Sequence, residues 1–288
     1  MIDFLKYTRI YLAISLVVIA AGIASIILWQ FDYSIDFVGG TSLEYQVDKN
    51  LDRSSITKLI EKQEVKVQEI MTEGNKVSIR TNAIDEKKEK SLRESLGKEL
   101  KTKITVLRTE TVGPTIGAET VQKTLIATGI AIIGILAYVA YAFRKFNFAF
   151  AAIIALVHDI LVVVGSYSLI SYFFGAELDT LFVTALLTTM SFSVHDTIVV
   201  FDQIRDYEHR YGKGNIYDYA NRALTDTMVR SFNNSMTIIF MLLALVLLGG
   251  TTIRFFAITL LIGTITGTYS SPFVATPIAV WLESRKKK

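Results

Sequence analysis

Six runs of apolar residues, each long enough to cross a bilayer, leave this chain few ways to fold. In lipid every backbone polar group must be satisfied within the spanning segment, and a helix that does so needs roughly 20 residues to traverse the hydrocarbon. The runs lie near residues 10 to 29, 124 to 143, 148 to 173, 179 to 201, 231 to 249 and 254 to 281. Composition agrees, with 51% of the 288 residues hydrophobic and only 20% charged, and a mean hydropathy of +0.41. These values read as an integral, α-helical membrane protein with a six-helix transmembrane bundle. The first run follows Lys6 and Arg9 like a signal peptide, but no small-x-small cleavage site precedes Trp29 and Phe31. It is expected to stay attached as an anchor.

Short flanks carry Lys6 and Arg9, then Arg144 and Lys145, then Arg205, Arg210 and Lys213, then Arg285 to Lys288, all on one side of the membrane. The opposite short loops hold only acids at 174 to 179 and one Arg254 at 249 to 254. The excess of Lys and Arg predicts that both termini are cytoplasmic. The same clustering accounts for the net charge of +3, so no nucleic-acid partner is expected and membrane lipids are. The absence of cysteine excludes disulfides and thiol chemistry.

Residues 31 to 123, richer in Lys, Glu and Thr, then fall on the far face as an extracytoplasmic domain. It lies between an N-terminal segment with the first helix (1 to 30) and a bundle of five helices with a cytoplasmic tail (124 to 288). Alternation predicts a strand at 41 to 47, and helical spacing behind Asp52 predicts a helix at 51 to 63. "VKVQEIM" and "KVSIRT" flank a turn at Gly74 and Asn75, and a charged helix near 84 to 100 precedes a strand at 104 to 112. The order βαββαβ is that of a ferredoxin-like α+β fold, with an irregular α+β domain as the alternative.

Ionisable residues interrupt two spans: His158 and Asp159 in the third, His195 and Asp196 in the fourth. A carboxylate inside a bilayer costs about 2.5–3.5 kcal/mol on insertion scales, so it normally faces a bundle interior and serves function. Helical spacing puts Thr189, Ser193 and Asp196 on one stripe, and Thr188, Ser191 and His195 on a neighbouring one. Arg230, at the start of the fifth span, is expected to reach Asp196. Protonating the acid would then release an arginine that stays charged, and free two helices to repack. The same pair could instead only staple the helices. Asp159 is expected to join Ser166 or threonines of the fourth span, as relay or as packing, and the two histidines read more simply as hydrogen-bonded packing residues. Gly263, Gly267 and Ser271 form a small-residue stripe for close helix packing, and Pro272 and Pro277 should bend the sixth span.

The chain lacks an H-E-x-x-H site, a Gly-flanked nucleophilic serine, a P-loop and a GxGD motif, so no enzyme activity, metal or cofactor is expected. "IDFVGGTSLEY" (35 to 45, with Asp36, Gly39, Gly40 and Thr41), "ALVHDI" (155 to 160), "HDTIVVFDQIRD" (195 to 206) and "RALTDTMVRSFNNSMT" (222 to 237) together resemble SecF subunits of the SecD/SecF family, within the RND superfamily. The resemblance covers nearly the whole chain. It implies a subunit of the bacterial Sec translocase in the cell membrane that works with SecD, coupling proton motive force to preprotein export through the SecYEG channel after the ATP-driven SecA step. It also implies that Asp196 and Arg230 are the transmembrane pair used in proton transport, with His195 standing where the family pattern has Asn or another small polar residue. A structural assembly subunit and a small-molecule RND-like exporter are the alternatives.

Overall fold

A computed structural model describes residues 3–48, 52–63, 65–143, 145–212 and 214–286. Of the residues used above, Leu51, Arg144, Lys213, Lys287 and Lys288 lie outside the described residues. The chain divides into two compact units, one of Met1–Asp32 with Ile126–Lys288 and the other of Tyr33–Leu125.

In chain order a 3-10 turn at Phe4–Tyr7 leads into α1 (Thr8–Trp29), followed by β1 (Asp32–Tyr33), α2 (Ile35–Val38), β2 (Gly40–Val47), α3 (Arg53–Glu61), β3 (Val67–Glu73) and β4 (Lys76–Thr81). They continue with α4 (Glu86–Glu99), β5 (Ile104–Val112), α5 (Pro114–Ala142), α6 (Phe146–Phe174), β6 (Glu177–Leu178), α7 (Thr180–Tyr211) and α8 (Ile216–Leu248). The last are α9 (Thr251–Ser270), a π-helical turn at Ser271–Ala275, and α10 (Thr276–Lys286). Among the described residues, six helices are long and apolar enough to cross a membrane.

The helices of the bundle start and stop where side chains can take over orphan backbone groups. Asp179 accepts a hydrogen bond from the Phe182 amide at 2.7 Å to open α7, and Asn215 accepts one from Tyr217 at 3.1 Å to open α8. Gly175, at φ +65°, closes α6 in the left-handed conformation that glycine adopts without strain. Both α7 and α8 run well past their apolar stretches. Hydropathy marks the part that meets lipid, whereas the helix continues as long as local propensity allows. Those extensions are knitted to the rest of the bundle. The Lys145 ammonium lies 2.6 Å from Glu208, and the Asn221 carbonyl accepts from the amides of Phe4 and Leu5 at 2.9 and 3.3 Å.

α1 meets α6 at glycines: a Cβ on Gly22 would lie 2.7 Å from the Gly165 Cα, and one turn further on the Ser25 and Ser168 hydroxyls are 2.9 Å apart. Small residues bring the backbones together and the hydroxyl pair satisfies itself without water. At Pro272 the missing amide is absorbed by the π-helical turn, where the Thr276 hydroxyl donates to the Ser271 carbonyl at 2.8 Å.

The other unit carries a four-stranded sheet in the order β3-β4-β2-β5, every neighbouring pair antiparallel. With α3 between β2 and β3, and α4 between β4 and β5, this is the ferredoxin-like βαββαβ arrangement. Leu43, Tyr45 and Val47 on β2, Val77 and Ile79 on β4, Ile56 and Ile60 on α3, and Leu92 and Leu96 on α4 form its core. Asp52 precedes α3 but its carboxylate bonds the hydroxyls of Ser54 and Ser55, and no side-chain cap forms. Asp85 does cap α4, accepting from Lys88 at 2.8 Å.

The residues from Asp36 to Thr41 set the first strand. Ser34 caps α2 by accepting from the Asp36 amide at 3.2 Å. Gly39 (φ +73°) and Gly40 (φ +133°) then reverse the chain into β2, and a Cβ on Gly40 would stand 2.6 Å from the Thr81 carbonyl oxygen. The Thr41 hydroxyl, fully buried, pairs with Thr111 across the sheet at 2.9 Å and accepts from the Ile84 amide at 3.0 Å. Gly40→Ala is therefore expected to destabilise the domain by more than about 1 kcal/mol, since the new Cβ meets both a positive φ and a backbone oxygen. A clear fall in the thermal unfolding midpoint of the solubilised chain is the expected reading.

Tyr45 donates to Glu89 at 2.9 Å, and Arg93 lies 3.3 Å from the same carboxylate. Burial, and next the Glu89 charge, push the Tyr45 phenol above its ordinary value. The folded domain thus holds this proton more tightly than the unfolded chain, so the contribution to stability is complete below about pH 10 and declines as pH rises beyond it. Tyr45→Phe is expected to flatten that alkaline loss in denaturant titrations at about pH 9 and 11.

Candidate functional site

The polar residues of α7 divide by helical face. Thr189, Ser193 and Asp196 are buried, whereas Thr184, Thr188, Ser191 and His195 are exposed along one line. The buried stripe faces α9. A Cβ on Gly263 would lie 2.2 Å from Thr189 Cγ2, one on Gly267 would lie 3.1 Å from Ser193 Cα, and the Ser271 hydroxyl is 2.9 Å from that of Thr197. Gly263 and Gly267 of α9, with Ser271 of the π-helical turn after it, thus let this span seat against the polar stripe of α7.

Asp159 sits where three helices meet and is only 4% exposed. Its Oδ1 is 2.7 Å from His158 Nδ1, while its Oδ2 accepts from the Ser193 hydroxyl on α7 and from the Ser270 hydroxyl on α9, the latter at 2.7 Å. Ser166, expected as a neighbour, is not one. It stands seven residues along α6, roughly 10 Å up the helix axis, beyond the reach of either side chain. The contribution of Ser270 had no signal in spacing, because it depends on how α9 is turned towards α6. His158 is 7% exposed, and its Nε2 is buried without a hydrogen-bond partner among the described residues.

Asp196 is as deeply buried, at 4% exposed, and has no hydrogen-bond or ion-pair partner among the described residues. Among the described residues no ion pair joins it to Arg230, the expected partner. Arg230 is exposed, about a quarter of a turn around α8 from the buried stripe that runs through Ala220, Leu224, Thr227 and Ser235. With it on the exposed side of α8 are Asn233, Asn234 and Thr237. The reason is rotational: apolar and small residues claim the inward face of α8, which turns the arginine outwards. Among the described residues no cluster of His, Asp and Glu could hold a metal ion.

Each hydroxyl on Asp159 joins two helices through a group that lipid cannot solvate. Ser270→Ala is expected to lower stability by about 1 kcal/mol, and the Ser193→Ala, Ser270→Ala double variant by more than either change alone. Thermal unfolding of the chain in detergent measures both.

Comparison with known proteins places this geometry. The family description "Protein export membrane protein SecD/SecF, C-terminal" matches residues 92–285, and the SecD/SecF GG motif matches residues 30–50, which include Gly39 and Gly40. The protein translocase subunit SecF of Thermobaculum terrenum is 40% identical, covering 99% of this chain and 95% of its own. That of Anaerolinea thermophila is 37% identical over the same shares. The crystal structure of SecDF, a translocon-associated membrane protein from Thermus thermophilus, superposes with a TM-score of 0.87 at 30% identity. It covers 99% of this chain, which spans 39% of that longer one. On the match across the bundle, the glycine motif and the near full-length relatives, the chain belongs to the SecD/SecF family of protein export membrane proteins.

Proposed function

We propose that the chain is the SecF partner in a SecD–SecF accessory complex of the Sec translocase, seated in the bacterial cell membrane with both termini cytoplasmic. In this role it couples the proton motive force to export of preproteins through the SecYEG channel. Asp196 is the group that gains and loses the proton, and Arg230 is the fixed positive charge that responds.

The observation that carries this reading is the pair of polar stripes left uncovered on α7 and α8. Thr184, Thr188, Ser191 and His195 on one helix, and Arg230, Asn233, Asn234 and Thr237 on the other, are exposed along helices built to cross a membrane. An arginine facing hydrocarbon would cost about 2.5–3.5 kcal/mol on insertion scales, which favours a neighbouring protein over lipid as the cover. A second bundle would cover that surface, and the greater length of the Thermus thermophilus SecDF chain is consistent with one. Arg230 then answers to charges on both sides of the joint rather than to Asp196 alone. With no hydrogen-bond partner among the described residues, Asp196 can change charge without first breaking a bond to one of them.

A purely structural role in assembly draws on a different observation, the pinning of three helices by Asp159. One variant separates the readings. Asp196→Asn is expected to abolish the stimulation of export by an imposed proton gradient in reconstituted vesicles, with the amount of co-purified SecD unchanged. Undiminished stimulation would overturn proton coupling at this residue, and loss of the complex would favour assembly.

A further inference from the structure

His158 has two nitrogens in opposite situations. Nδ1 is 2.7 Å from Asp159 Oδ1, whereas Nε2 is buried within the bundle and meets no acceptor or donor among the described residues. A buried polar atom left unpaired is rare enough to call for a reason. With an acceptor carboxylate opposite Nδ1, the ring carries its proton there and turns a bare lone pair at Nε2 towards its surroundings. The opposite tautomer would bury an N–H with nothing to receive it.

We infer that His158 is a proton-binding site of the bundle in its own right, its Nε2 the atom that takes the proton and Asp159 the group that holds the ring in the receptive tautomer. The inference deepens the proton-coupling reading above and rests on it for its consequence in export. A proton from hydronium or water adds to the Nε2 lone pair, leaving water or hydroxide respectively, and only the donor's O–H bond breaks. The dyad passes from imidazole with carboxylate, net charge −1, to imidazolium with carboxylate, net charge zero.

The elements around the ring bear on that change in different ways. From α9 comes Tyr269, whose ring centroid is 6.3 Å from that of His158 and whose hydroxyl donates to the Tyr11 carbonyl on α1 at 2.9 Å. α1 has no charged residue between Arg9 and Asp32, and the stretch from α9 into α10 has none between Arg254 and Glu283, which bonds Asn147 at the end of α6. From α7 come Ser193, on Asp159, and Asp196 one turn further along the same buried stripe. Among these groups the charges on the buried side are carboxylates, and the ionisable His195 beside Asp196 lies on the exposed face of α7. Once made, the Nε2–H needs an acceptor that the present packing does not offer, so proton uptake favours a shift of the α1, α6 and α9 contact. Asp159 transmits the same event to α7 through Ser193.

The chain has three histidines, His158, His195 and His209, so imidazole nitrogen resonances of the full-length chain in lipid nanodiscs can be assigned with His195→Asn and His209→Asn. Spectra are compared between about pH 8 and pH 5, the window in which an imidazole changes charge. At the upper end, Nδ1 should resonate as a protonated nitrogen and Nε2 as a bare one. On acidification Nε2 should move to the protonated range, and Asp159→Asn should replace the single tautomer by a mixture. A protonated Nε2 at the upper end, a tautomer mixture in the native chain, or a bare Nε2 throughout overturns the proposal. In vesicles with the assembled complex, His158→Gln should displace the pH dependence of gradient-driven export, and a profile superimposable on the native one counts against a role in coupling. Should Asp196→Asn leave gradient-driven export intact, the coupling reading fails by itself, while the nitrogen spectra still decide whether His158 binds a proton.

Discussion

The bundle depends on a carboxylate kept out of water and satisfied from three sides. Asp159 takes hydrogen bonds from His158 on its own helix, Ser193 on α7 and Ser270 on α9. In a bilayer these partners are not interchangeable with solvent, so the position of each helix is tied to the others by a few short polar contacts. Van der Waals packing does the rest where side chains are small enough: Gly22 against Gly165, Gly263 against Thr189, and Gly267 against Ser193. Near two of these approaches one hydroxyl comes within reach of another, Ser25 with Ser168 and Thr197 with Ser271.

The same constraint explains why the surface of α7 and α8 is informative. Buried hydroxyls such as those of Ser25, Ser168, Ser193 and Ser270 bond groups on other helices, whereas Thr184, Thr188 and Thr237 on the outer stripes bond backbone carbonyls of their own helix. Arg230 belongs to the outer set although it lies close in sequence to inward residues such as Thr227 and Ser235. Of the two residues of the proposed switch, Arg230 lies on an outer stripe and Asp196 on the inner one, one turn from Ser193, through which α7 meets Asp159.

The α+β domain follows water-soluble rules instead. Its core of Leu, Ile and Val is conventional, but its starting point is set by backbone geometry: two glycines at positive φ, one against a carbonyl oxygen, deliver the chain into β2, and the buried Thr41 locks that strand to its neighbours. A hydrophobic pattern alone would leave the register of β2 free to slip by pairs of residues. The threonine hydroxyls and the glycine turn remove that freedom.

Much of this was legible in the residues. The number and approximate extent of the spans, the βαββαβ order and the two faces of α7 follow from periodicity and from the cost of exposing backbone to lipid. Those are one-dimensional consequences of local geometry. Sequence spacing left open the rotation of one helix about its axis relative to another. That rotation turned Arg230 outwards, brought Ser270 to Asp159, and left His158 with one nitrogen bonded and the other bare. Periodicity fixes a helix's own faces, but only the packing of all six decides which face meets which neighbour, because that choice minimises voids and unpaired polar groups over the bundle as a whole.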